Sequence, residues 1–168
     1  MNGVMKGLAI AVLLVTVLGA GVVLYGVRTL TPQVEFAQVT ATPAADMADV
    51  FDEAMAQVQN RTFIGRVLSD SQGLTAEECT MLTYTVRLNN RGFFPAEWIA
   101  LVVEPQLGEN GRDVLQLSDG NGHVLGARSR GDLSATVVHT GDVSDLSRTL
   151  RIVCYVLGKQ IEFTVQAQ

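Results

Sequence analysis

The sequence predicts an all-β, antiparallel β-sandwich domain, preceded by a single N-terminal transmembrane helix and a short amphipathic helix. Three observations carry this reading. The run from Gly7 to Val27 is apolar and uncharged. A stretch with helical spacing of apolar residues begins at Pro43. From residue 61 onward, short alternating runs follow one another with turn residues between them and no helical period intervening, the pattern of a two-sheet β domain.

The first element, residues 7–27 (GLAIAVLLVTVLGAGVVLYGV), has the length that a ~30 Å hydrocarbon core demands at 1.5 Å of helix rise per residue. A cleaved signal peptide has a shorter apolar region closed by small residues. The one candidate site here, Leu18-Gly19-Ala20, carries a bulky leucine, and the run continues through Val22, Val23, Leu24 and Tyr25. A retained signal anchor is therefore expected. No cysteine follows the run closely, which excludes a lipoprotein-type anchor. Lys6 and Arg28 nearly balance across it, so the short tail, residues 1–6, decides the topology. That tail stays cytoplasmic and the C-terminal domain is extracytoplasmic, making a single-pass protein of the cytoplasmic membrane. Tyr25 and Arg28 suit the far interface. Gly7, Ala11, Gly19 and Gly26 read as ordinary small residues before they read as a helix-packing face.

The next elements lead into the domain. Residues 28–42 are of mixed character and read as a linker. Thr42 then stands as an N-cap with Pro43 at the first helical position. Over 43–59, Met47, Phe51, Ala54, Met55 and Val58 form an apolar stripe, and Asp46, Asp49, Asp52 and Glu53 occupy the early turns, where the helix dipole favours acids. The stripe is expected to pack on the domain that follows. A coiled-coil dimer is the lesser alternative, because the heptad pattern breaks at Gln57. Asn60-Arg61-Thr62 fits the glycosylation sequon, which matters only in a eukaryotic host.

The domain itself, residues 61–168, contains the candidate strands 62–68, 81–89, 96–104, 113–118, 122–127, 133–139, 149–157 and 160–166. Leu82, Tyr84, Val86 and Leu88 share one face, with Thr83, Thr85 and Arg87 opposite. Leu150, Ile152, Cys154 and Val156 alternate likewise, as do Ile161, Phe163 and Val165. Asn90-Arg91-Gly92, Glu109-Asn110-Gly111, Asp119-Gly120-Asn121-Gly122 and Gly158-Lys159 supply turns. The chain carries 17 acidic and 12 basic residues, for a net charge of −5. All the acids and every base but Lys6 lie beyond the apolar run, which argues against nucleic acid as a partner.

The order Cys79, Trp98, Cys154 parallels the Cys…Trp…Cys order of immunoglobulin domains. A Cys79–Cys154 disulfide would stabilise by roughly 4 kcal/mol on the loop-entropy model. Against it, Ile152 stands where a tyrosine belongs, and Cys79 is out of phase with the inward face of its own strand. A bond and two free thiols both remain open. The run Val86-Arg87-Leu88-Asn89-Asn90-Arg91-Gly92-Phe93-Phe94-Pro95-Ala96, continuing into Trp98–Val103, resembles the strand corners of bacterial extracellular immunoglobulin-like modules of the CARDB and FxLYD kind. The resemblance covers only this short part of the chain. It implies an immunoglobulin-like accessory or adhesion module and brings no catalytic residues with it.

Candidate sites are few. Phe93, Phe94 and Pro95 form an apolar loop that is either an interaction surface or, the favoured reading, a cap on the core. Trp98 lies in a run apolar on both parities and is expected in the core. Asp119-x-Asn121 opens like a calcium loop, but Arg130 stands where the closing acid is required. His123 and His139 lack ligand spacing, so no metal or cofactor is expected. Cys154 lies among aliphatics, a poor setting for a nucleophile. No nucleophile elbow or phosphate loop is present, and no enzymatic activity is expected. The function expected is a membrane-anchored binding or structural module of the cell envelope, with another envelope protein as partner. The alternative is an accessory subunit of a secretion or transport complex that assembles through its transmembrane helix.

Overall fold

The computed structural model describes residues 3–28, 30–108, 111–117 and 122–167, with the side chains of 3–9, 11, 27 and 28 left aside. The elements are α1 (Gly3–Arg28), β1 (Gln33–Pro43), a 3₁₀ turn (Ala44–Met47), α2 (Ala48–Gln59), β2 (Arg66–Val67), β3 (Cys79–Asn90), β4 (Ala96–Val103), β5 (Gly111–Leu117), β6 (His123–Leu125), β7 (Ser129–Gly141), β8 (Arg148–Val156) and β9 (Lys159–Ala167). The strands form two antiparallel sheets, ordered β1-β3-β7-β5-β2 and β6-β4-β8-β9.

Alternation builds the core between these sheets. Leu82, Tyr84, Val86 and Leu88 of β3 meet Leu150, Ile152, Cys154 and Val156 of β8, with Leu133, Ala135 and Val137 of β7. On the outer face of the five-stranded sheet lies a second, smaller core. There Phe51, Ala54 and Met55 of α2 cover Cys79, Met81, Val114 and Val138. One strand can serve both cores because successive side chains point to opposite faces.

Several expectations are corrected. Among the described residues, no helix is long and apolar enough to cross a membrane. The 7–27 span is therefore not supported. With it go the signal anchor, the membrane and envelope protein as partners, and the single-pass extracytoplasmic location. Much of the expected linker is β1, paired with β3 along its whole length. Thr42 does not cap a helix. It stays in β1 opposite Met81, and Pro43 precedes the 3₁₀ turn without a side-chain cap. The 62–68 run reduces to the two residues of β2.

The expected immunoglobulin-like sandwich is corrected to two sheets of five and four strands. β1-β3-β7-β5 and β4-β8-β9 run in the ABED and CFG orders of that fold, and β2 and β6 add an edge strand to each. The Glu109-Asn110 turn and the Asp119-x-Asn121 motif lie outside the described residues.

Cys79 and Cys154 are both buried free thiols. Cys79 shares the face of Met81 beneath α2, whereas Cys154 lies between the sheets. The pairing of β3 with β1 and β7 carries no register shift near Cys79 that would turn it inward. A disulfide needs Cβ atoms about 3.5–4.5 Å apart and facing each other, and two side chains in different cores cannot supply that. Burial raises the pKa of both thiols, and Glu78 adds to the effect at Cys79. A thiol reagent is therefore expected to react slowly with the native chain and to titrate both cysteines after denaturation. Reductant is expected to leave the melting temperature unchanged. Thiols that appear in denaturant only after reduction would show a bond.

Candidate functional site

Two polar or aromatic constellations stand out, one at each end of the sandwich. At the end where β5, β7 and β8 meet, Asp113, His139 and Arg148 are almost completely buried. His139 and Arg148 carry the inward phase of β7 and β8 past the last aliphatic residues. Asp113 Oδ1 lies 2.8 Å from His139 Nδ1, and Arg148 Nε donates to Asp113 Oδ2 at 3.2 Å. The backbone N–H of Gln106 donates to the same Oδ2 at 2.7 Å. His139 Nε2 lies 3.1 Å from the Asp142 carbonyl, and Arg148 Nη1 donates to the carbonyls of Asp145 and Ser147. Tyr84 donates its hydroxyl to the Leu146 carbonyl at 3.0 Å. Burial pushes the Asp113 carboxyl up, but hydrogen bonds from His139, Arg148 and Gln106 outweigh this and hold it below the usual carboxylate range. Burial raises the Tyr84 phenol to about 12.

An Asp–His pair invites comparison with a catalytic dyad, and the geometry argues otherwise. Nε2, the nitrogen that would accept a nucleophile's proton, faces a carbonyl. The nearby hydroxyls of Ser144 and Ser147 are bound to Asp142 and Asp145. Both ring nitrogens of His139 face oxygens of the protein, Asp113 Oδ1 and the Asp142 carbonyl. The cluster ties the 142–147 loop to β5 and closes this end of the core. Among the described residues, no group of His, Cys, Asp and Glu is placed to hold a metal.

The opposite end is apolar and open. Asn90, buried at the end of β3, donates through Nδ2 to the carbonyls of Phe94, Leu125 and Gly126, and its Oδ1 accepts from the Gly92 N–H. One side chain thus fixes the 91–95 loop against β6, and that loop presents Phe93 (44% exposed) and Phe94 (40% exposed). The Phe93 ring meets Tyr25 of α1 edge-on at 5.5 Å, and the Arg128 guanidinium lies 4.7 Å from its centre. Neither phenylalanine is fully covered, so the loop is not a simple cap on the core.

Trp98 is not in the core. It is 66% exposed and adopts φ +51°, a conformation costly for a bulky residue. The cause is a bulge. The pairing of β4 with β6 shifts between Ala96 and Ile99 and that with β8 between Glu97 and Ala100, so Ala96 and Ile99 both point inward and the indole is turned out. Gly122 lets the ring lie close, since a Cβ there would stand 3.3 Å from Trp98 Cε3. Val124 is exposed on the neighbouring strand, and Tyr155 lies opposite Glu97 across the ladder. Leu157, exposed at φ +53°, follows in the β8–β9 turn.

Sequence reasoning found Phe93, Phe94 and Pro95 but missed Trp98, Val124, Tyr155 and Leu157. A bulge that changes the phase of a strand leaves little trace in the order of residues. No protein-family model matches the chain, and no curated protein matches it.

Proposed function

We propose that the chain is a protein-binding β-sandwich that engages its partner through the apolar surface around Trp98. The observation that supports this most directly is Trp98 itself, a tryptophan held out to solvent by a bulge in a strained backbone conformation. Backbone strain persists where the surrounding structure imposes it, and it clusters at ligand-binding sites. Tryptophan and tyrosine are also the residues that most often carry the energy of protein contacts. Val124, Leu157, Phe93 and Phe94 extend the surface with aliphatic and aromatic area, which suits an apolar protein surface. The closed hydrogen bonding of the Asp113 cluster favours a binding role over a catalytic one.

The test uses Trp98→Gly, because glycine adopts φ +51° freely and keeps the bulge. A photo-crosslinking residue at position 98 in the expressing cell is expected to yield a discrete adduct. The same residue at Glu53, on the other side of the molecule, is expected to yield none. Trp98→Gly is expected to weaken binding of the captured partner about 30-fold or more, with the melting temperature unchanged. Absence of an adduct at 98, or equal binding by Trp98→Gly, overturns the reading.

A further inference from the structure

We propose that β9 is the contact strand of a two-fold dimer, pairing antiparallel with β9 of a second copy so that two four-stranded sheets join into one of eight. The argument begins with the edges. The sheets end in β1, β2, β6 and β9. Natural edge strands resist pairing with other chains by being short, bulged, interrupted by proline, or covered. β2 and β6 are 2 and 3 residues long. β1 is bulged between Val34 and Phe36 and ends at Pro43. β9 is neither short, nor bulged, nor broken by proline. Its 9 residues pair with β8 without a register shift and contain no proline or glycine. Its charges are Lys159 and Glu162, and β1 of the other sheet lies close to it without pairing.

The strand is also self-complementary. A two-fold axis through Phe163, its midpoint, uses all of β9. This sets Phe163 against its own copy, Ile161 against Val165, Gln160 against Gln166, and Lys159 against Ala167. Glu162, the one acidic residue of the strand, falls opposite Thr164 of the second copy. No like charges meet, and the half-buried row of Ile161, Phe163 and Val165 continues across the join. Cross-strand apolar and aromatic pairs of this kind are the unit of sheet stabilisation. A second copy is therefore the occupant the edge fits.

The pairing is tested by charge reversal on the full chain, with sedimentation equilibrium as the readout. Thr164→Glu places two glutamate pairs across the axis. Within its own chain, residue 164 lies opposite Arg151, so the fold gains a favourable neighbour and the melting temperature is not expected to fall. The dimer dissociation constant is expected to rise about ten-fold. Adding Glu162→Lys to Thr164→Glu sets opposite charges across the axis and is expected to restore dimerisation. A wild-type chain monomeric at every accessible concentration overturns the proposal. So does a dissociation constant unmoved by Thr164→Glu, as association through α1 would give. Failure of the double variant to recover overturns this register.

Discussion

Asp113→Asn is expected to destabilise the fold by about 3–5 kcal/mol, the cost of breaking a buried ion pair from one side. The asparagine keeps the shape and the Gln106 contact, but it leaves Arg148 and His139 facing a neutral group in a site without water access. The loss is expected as a fall of roughly 10 °C or more in melting temperature. The pH dependence separates charge from shape. The folded pKa of Asp113 lies below its unfolded value, so its stabilisation is fully present above about pH 4 and lost as pH falls through the lower folded value. Wild-type melting temperature should therefore fall on acidification below about pH 4, while Asp113→Asn should lack this group's share of the fall. An asparagine variant as stable as wild type at neutral pH would show the cluster to be dispensable.

Gln116→Leu is expected to cost about 2–4 kcal/mol, although it replaces a buried polar side chain by an apolar one of similar size. Gln116 reaches from β5 in one sheet to β4 in the other. Its Nε2 donates to the Leu101 carbonyl at 3.0 Å, and its Oε1 accepts from the Val103 N–H at 3.2 Å. β6 pairs with β4 only between Ala96 and Ile99, so the Gln116 amide stands in for a missing strand over the next residues. Arg66 completes the seal by donating to Gln116 Oε1 and to the Val103 carbonyl. Leucine fills the volume and leaves two backbone groups unpaired. Gln116→Glu keeps the acceptor and is expected to fall between the two. Denaturant midpoints give the ranking, and faster hydrogen exchange at the Val103 amide should locate the opening. Unchanged exchange there would refute the account.

The sandwich was legible wherever strands kept a constant phase. β3, β8 and β9 alternate without interruption, and their inward residues are the core. β1 was hidden because its bulge changes phase: Val34 faces the core, and then Ala37 and Val39 do. Phe36 is turned the other way and lies beneath the Arg87 guanidinium. The same kind of phase change concealed Trp98. The Asp113 cluster left a fainter signal, His139 and Arg148 standing on the inward phase of otherwise apolar strands. Their common partner could not be read, because Asp113 is 26 residues from one and 35 from the other in sequence.

The four hydrogen bonds of Asn90 have a thermodynamic consequence. A loop that orders only on contact gives up conformational freedom at that moment, and the loss is subtracted from affinity. The 91–95 loop surrenders that freedom when the domain folds, because one buried amide already holds it to β6. Its aromatic rings therefore meet a partner with most of the entropic cost of ordering already met, and little of the contact energy is spent on arranging them.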